Sequence, residues 1–365
     1  MNPVTRRVHV RVPATSANLG SGFDTVGLAL DYHDELTFTL SDDPADTDAH
    51  VNIEGEGAQT LPRDETHLVV STFRRACRTF GLGRFGFTLE AHNRIPQARG
   101  MGSSAEAIVA GIAAAAAFAQ EGELNRSAIF DLAATIEGHP DNVAPAVFGG
   151  LTVSWDFSTA EGVGSVPIPG GEPLHGGFHT VNYPVDPAIT AAVFVPDYEL
   201  STEKARQALP ATLPYRDAVY NVSRVGLLPA AMNPGALAAA TTASDTASSD
   251  TADGDAAVSV SAASPALAAT ANTLLYTATQ DKLHQPYRAA LMEPSWNLIE
   301  RFRSHGYAAA VSGAGPCVLV LHYGDAREAI DAIAAEDLAS GHWRVLHLPI
   351  DTTGVTVERG CTDIL

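Results

Sequence analysis

The sequence predicts a two-lobed α+β protein, and three observations lead there. Its 365 residues suffice for about two ordinary domains, each with its own core. Strand-like and helix-like patterns are interspersed along the whole chain rather than segregated. A composition of 45% apolar and 18% charged residues fits a globular protein. The first lobe is expected over residues 1–154 together with a final segment, 343–365, and the second over residues 155–342.

Val8, Val10 and Val12 alternate through residues 6–13, and DELTFTL (34–40) repeats the two-residue period, so both read as strands. VNIEG (51–55) is a third. Between the first two lies ATSANLGSGFD (14–24), rich in turn formers. Residues 66–80 space their apolar side chains as a helix that ends at Gly81, and GFTLEAHNRI (86–95) is a strand closed by Pro96. The loop QARGMG then runs into SSAEAIVAGIAAAAAFAQ, a strong helix former. A helix over Arg126–Ile136 stops at EGHPDN, where Gly138 and Pro140 prevent continuation, and FGGLTVSW returns to strand.

In the second half, AAVFVP (191–196) is a strand leading into STEKARQALP. One helix is expected over Asp217–Met232, with Pro229 late in it, and further helices over 294–304 and Asp325–Glu336. AAAVSGAGPCVLVLH reads as a strand and glycine turn, and 343–348 as the final strand. From about 234 to 270 the chain is Ala, Thr, Ser and Asp, with no Lys or Arg between Arg224 and Lys282. Such a stretch buries too little apolar surface to offset its ordering entropy, so a disordered acidic insert is expected there.

The formal net charge is −20, from 42 acidic and 22 basic side chains. That balance repels nucleic-acid phosphates and anionic lipid, which argues against nucleic-acid and membrane partners. Cys77, Cys317 and Cys361 form no CxxC pair and no zinc-ligand spacing, so reduced structural thiols are expected. The N-terminus shows a strand pattern in place of a signal peptide. The longest apolar run, Ala107–Ala119, falls short of the ~20 residues of a membrane span. A cytoplasmic location follows as the expectation.

Three segments carry chemistry. In RGMGSSAEA, Gly100 and Gly102 let the backbone approach a ligand, and Ser103 and Ser104 open a helix whose free N–H groups attract anions. It is neither a Walker A loop nor a dinucleotide fingerprint, and a serine-capped glycine turn accounts for the same residues equally well. In EGHPDN, the side chains of Glu137, His139 and Asp141 suit a metal, but a solvated helix-end turn is the simpler account of them. SGAGPC (312–317) taken alone is a tight turn.

Together, PATSANLGSGFD, IPQARGMGSSAEA and AVSGAGPCVLVL resemble, in order and separation, the three signatures of the GHMP kinase superfamily. The resemblance runs from about Val8 to the final strand, the acidic insert excepted. Within the superfamily, PATSANLGSGFDTVGLAL, EGHPDNVAPAVFGGL, STEKARQALP and DKLHQPYR resemble the homoserine kinase family. The resemblance implies a first lobe like ribosomal protein S5 domain 2, a ferredoxin-like second lobe, and a site between them that takes ATP, Mg²⁺ and a small amino acid.

It also implies the site residues. ATP is placed on Pro96, Gln97, Ala98, Arg99, Gly100, Met101, Gly102, Ser103, Ser104, Ala105 and Glu106, with Ser312, Gly313, Ala314 and Gly315 forming the third motif. Ser104 and Glu137 are the implied Mg²⁺ ligands. Asn18, Asp24, His139, Arg206 and Arg288 are implied around the amino acid, where carboxamide and carboxylate oxygens accept from its ammonium and an Arg fork matches its carboxylate. Asn142 occupies the place where mevalonate-type relatives carry a catalytic aspartate. An amide is no general base, so catalysis by Ser104, Glu137 and Asn142 is expected to rest on positioning and charge stabilisation, with Asp141 the challenger for a base role.

The chain departs from the family pattern in places. Met101 replaces the usual Leu, and Glu106 follows the serines closely and is expected to point away from phosphate. His67 stands where Asn often flanks the nucleotide base. A superfamily kinase for mevalonate, a phosphomevalonate or a sugar is the alternative, as is a non-catalytic nucleotide-binding protein on the same scaffold. Assembly as a homodimer is left open.

Overall fold

In this computed structural model, residues 1–160, 162–236 and 265–360 are described. The strands are β1 (Arg7–Asn18), β2 (Gly22–Leu40), β3 (Ala49–Gly55), β4 (Phe87–Asn93), β5 (Leu151–Phe157), β6 (Ser165–Val166), β7 (Leu174–His175), β8 (Gly177–Tyr183), β9 (Ile189–Pro196), β10 (Ala308–Val311), β11 (Val318–Tyr323), β12 (Trp343–Pro349) and β13 (Thr356–Arg359). The helices are α1 (Leu68–Thr79), α2 (Ser103–Ala119), α3 (Arg126–Glu137), α4 (Val143–Phe148), α5 (Thr202–Gln207), α6 (Tyr215–Val225) and α7 (Leu228–Met232). After the undescribed segment come α8 (Pro265–Ala278), α9 (Gln285–Arg288), α10 (Glu293–Ser304), α11 (Arg327–Ile333) and α12 (Ala335–Ala339).

A seven-stranded sheet runs β13-β1-β2-β4-β3, with β5 on β2 and β8 on β5; only the β3–β4 pair is parallel. A four-stranded antiparallel sheet runs β10-β11-β9-β12. The alternating valines of β1 point into the first core. There Phe38, Phe73 and Phe87 meet with ring centroids 4.8–5.8 Å apart, and Phe118 of α2 packs edge-on to Phe73. In α2 only Ser103, Ser104 and Ala119 escape burial. An apolar surface all round makes it a core helix, so its N-terminus is where it reaches solvent. A second apolar cluster joins the sheets, uniting Leu28, Met101, Val193, Met232, Leu275 and Leu319.

Several expectations are corrected. The turn-rich segment 14–24 is mostly strand: β1 and β2 pair as far as Asn18↔Gly22, with register shifts at Pro13/Ala14 and Ala17/Asn18. Positive φ angles at Asn18, Leu19 and Asp24 turn the chain, so the turn-forming residues bend a hairpin instead of ending its strands. The helix expected over Asp217–Met232 breaks between Val225 and Leu228, because Pro229 lacks the N–H an uninterrupted helix requires. Residues 325–336 likewise divide between α11 and α12.

Residues 265–270 of that stretch are helical, and Ala271, Leu275 and Ala278 bury one face of α8. Residues 237–264 of the expected insert lie outside the described residues. The lobe boundaries differ as well. Strand β12, assigned to the first lobe, pairs with β9 in the second, and β13 alone returns to β1. Strand β8, assigned to the second lobe, extends the first sheet. Strand partnership is a long-range choice that local pattern does not encode.

The return of the chain to β13 is pinned by a buried network. His33 Nε2 lies 2.9 Å from Asp351 Oδ2, and Asp351 Oδ1 accepts from the backbone N–H groups of Thr353 and Gly354. Asp31, His33 and Asp351 could together hold a metal ion. Arg11 Nη2, 2.9 Å from His33 Nδ1, already supplies the cation. Among the described residues no helix is long and apolar enough to cross a membrane. Cys77 and Cys317 are free and buried; burial pushes the Cys77 thiol up to about 12.

Candidate active site

A cleft of about 350 Å³ opens between the sheets at the N-terminus of α2. Ala98, Gly100, Gly102, Ser103 and Ser104 form one wall, Glu137, His139, Asp141 and Asn142 another, and Asn18, Asp24, Arg206, Arg288, Gly313 and Ala314 the far end. Segments far apart in sequence thus converge on one cavity.

The glycine loop is stitched to the two other motifs. Ser312 Oγ donates to Gly100 O at 2.7 Å and lies 2.8 Å from Ser16 Oγ. Thr15 N–H donates to Met101 O, and Cys317 N–H to Arg99 O. Both glycines have positive φ. A Cβ at Gly100 would sit 2.1 Å from Ser312 O, and one at Gly102 only 1.9 Å from Thr15 Oγ1, so glycine is required twice over. No side chain caps α2, which leaves its first N–H groups facing the cleft.

Of the residues expected around ATP, Met101 and Ala105 point into the apolar core, and Arg99 turns to Pro196 O and Glu199. Pro96 and Gln97 lead into the loop without lining the cleft, as Gly315 follows the lining residues of the third motif. Glu106 is buried and hydrogen-bonds Asp34, whose Oδ1 accepts from the N–H groups of Arg94 and Ile95 at 2.6 and 2.8 Å. Burial pushes Asp34 up to about 6 and Glu106 well above the usual carboxylate range, which favours a proton held between the two carboxyl groups. This pair ties together the two ends of the glycine loop. The sequence reading missed it, because Asp34 belongs to a strand with no visible link to the loop.

Ser104 Oγ donates to Glu137 Oε2 at 2.8 Å across the cleft floor. Burial raises the Glu137 pKa, opposed by that hydrogen bond. His139 Nδ1 lies 2.8 Å from Asp141 Oδ1, and this bond raises the imidazole pKa. Thr15 Oγ1 donates to Asn142 Oδ1 at 2.8 Å, while Asn142 Nδ2 lies 3.4 Å from Asp141 Oδ1.

Arg206 forks onto Asp24, with Nη1 and Nη2 each 2.9 Å from a carboxylate oxygen, and Asp24 raises the guanidinium pKa further. The two side chains expected to take opposite ends of one amino acid therefore hold each other. Arg288 is buried, donating from Nε to Ala205 O; burial and then the Arg206 charge lower its pKa. Phe23 lies 5.9 Å beneath Arg206 and 5.1 Å beneath Arg288, a contact sequence reasoning did not find although Phe23 precedes Asp24. Asn18 is engaged by the protein: Nδ2 donates to Gly313 O at 2.8 Å, and Oδ1 accepts from Asp24 N–H. His67 is buried before α1 with neither ring nitrogen hydrogen-bonded.

Residues 67–150 match the GHMP kinases N terminal domain and 263–338 the GHMP kinases C terminal family. The chain is 40% identical over 354 residues to the homoserine kinase of Clavibacter michiganensis subsp. michiganensis, covering 97% of this chain and 94% of that protein. It is 38% identical over 352 residues to the homoserine kinase of Streptomyces coelicolor, covering 96% and 94%. A crystal structure of homoserine kinase from Cytophaga hutchinsonii superposes with a TM-score of 0.72 at 22% identity, over 98% of this chain and 99% of that one. This chain belongs to the homoserine kinase family of the GHMP kinases.

Proposed function

We propose that this chain transfers the γ-phosphate of ATP to the side-chain hydroxyl of L-homoserine, giving O-phospho-L-homoserine for threonine biosynthesis. The observation that carries the reading is one cleft holding the exposed start of α2 beside an acidic and two guanidinium side chains. Phosphate oxygens accept from the free N–H groups of α2 and from Ser103, where the helix dipole favours negative charge. The substrate ammonium pairs with Asp24, and its carboxylate with Arg206 and Arg288. Asn18 acts by holding Asp24 through its backbone N–H.

A hydroxyl and a carboxylate 2.8 Å apart suit a hard divalent cation, and burial leaves Glu137 short of positive charge. Ser104 and Glu137 would hold Mg²⁺, which when bound neutralises charge on the phosphate oxygens. The His139–Asp141 pair borders the hydroxyl's approach. Asn142 lacks a basic lone pair, so it contributes without taking a proton. In-line positioning with preorganised donors suffices for a loose phosphoryl-transfer transition state. The test is coupled ADP release with homoserine, serine, threonine, mevalonate and galactose in turn. Homoserine should give the highest kcat/KM; a preference for mevalonate or galactose would overturn the substrate assignment.

A further inference from the structure

We propose that Thr15 is a positioning residue for phosphoryl transfer: its hydroxyl holds the Asn142 amide with the NH₂ group turned to the cleft, so that Asn142 meets the reacting oxygens as a donor. The catalytic part of this inference rests on the homoserine-phosphorylating reading above; the amide orientation rests on geometry alone.

Thr15 lies in β1 and is fully buried. Its backbone is fixed twice, by pairing with Ala29 of β2 and by donation from its N–H to Met101 O. Among the described residues the hydroxyl then has one polar contact, donating to Asn142 Oδ1 at 2.8 Å. On the other side, Asn142 Nδ2 faces Asp141 Oδ1 at 3.4 Å. Rotating the amide by half a turn would set its oxygen against that carboxylate oxygen, two acceptors face to face, and would leave the threonine hydroxyl to find another acceptor. Thr15 and Asp141 thus select the same orientation from opposite sides.

The glycine loop is built around this contact. A Cβ at position 102 would lie 1.9 Å from Thr15 Oγ1 and 3.2 Å from Asn142 Oδ1, so Gly102 makes room for the hydroxyl and the amide together. The first motif thereby acquires a function besides contact with substrate. Ser16 meets Ser312 of the third motif, and Thr15 meets both the phosphate loop and Asn142. With its oxygen engaged by Thr15, the amide offers N–H hydrogens to oxygens that carry negative charge during transfer. Such donors act by being aimed in advance.

The experiment compares Thr15→Val, which removes the hydroxyl at nearly constant volume, with Thr15→Ser, which keeps it. With homoserine and ATP, Thr15→Val should lower kcat about 10- to 100-fold while the KM for ATP stays within about twofold, and Thr15→Ser should restore kcat to within about threefold. A packing role would lower the melting temperature and the active fraction and leave kcat per active site unchanged. The Asn142 side-chain NH₂ resonances, followed by NMR, should shift and exchange faster in Thr15→Val and remain near wild type in Thr15→Ser. That readout needs no substrate, so it decides the amide orientation even if the wild type ignores homoserine. Should Thr15→Val fail to fold, Thr15→Ala with Thr15→Ser gives the same contrast. Wild-type kcat and unshifted Asn142 resonances without the hydroxyl, or equal losses in the serine variant, would overturn the proposal.

Discussion

Replacing Arg206 by Lys keeps a positive charge in the cleft but removes the planar fork. Both Arg206 and Asp24 are 37% exposed in their side chains. An ion pair that open to solvent contributes about 1 kcal/mol or less, so the variant should match the wild type in unfolding free energy to about that amount. For the same reason, exchanging this pair for the ammonium and carboxylate of a zwitterion meets little resistance. Binding responds differently. A charge-assisted hydrogen bond contributes roughly 1.5–3 kcal/mol, so losing one arm of a bidentate grip should raise the homoserine KM about 10- to 100-fold. The assay is coupled ADP release, with homoserine varied at saturating ATP and then the reverse. The KM for ATP should stay within about twofold. A homoserine KM and kcat both at wild-type values would refute the carboxylate fork. Arg288 is the poorer probe, because it is buried and bonded to Ala205 O, and Lys there would disturb folding as well.

Three more outcomes are expected. Ser104→Ala should fold normally, since alanine suits the first turn of α2, yet lose activity by about 100-fold if the hydroxyl helps hold the metal–nucleotide complex; near-normal turnover would remove Ser104 from the mechanism. Replacing residues 237–264 with a short Gly/Ser linker should change stability by about 1 kcal/mol or less. Extending the deletion through Leu275 should unfold the protein, because that side chain is fully buried; equal melting temperatures for the two deletions would contradict the packing of α8. Asp34 binds its proton more tightly folded than unfolded, so its contribution to stability is greatest at acid pH and is lost as pH rises through about 6. The unfolding free energy of Asp34→Asn minus that of wild type should therefore increase between pH 5 and 7, and a pH-independent difference in urea melts would rule out the raised Asp34 pKa.

The site was more legible than the lobes that build it. The three glycine motifs and EGHPDN, which line or support one cleft, stood out because their marks are local: glycine at positive φ, serine at a helix start, a carboxylate in the next turn motif. Glu106 shows where that reading ends. Its position in the first turn of α2 was visible, but its partner Asp34 stands 72 residues earlier in sequence, on β2. The mutual grip of Asp24 and Arg206 and the contact from Thr15 to Asn142 were invisible for the same reason, since each joins elements whose proximity only the folded sheets create.

Helix and strand identity came from the chain itself, because burial on one face imposes its period on the sequence; Val8, Val10 and Val12, or the all-apolar α2, declare their surroundings directly. Which strand pairs with which was decided in three dimensions. Strand β8 adds to β5 and β12 crosses to β9, although their sequences would suit either sheet. A strand's pattern records which face is buried and not the partner at its edge, because backbone hydrogen bonds are the same whatever the neighbour.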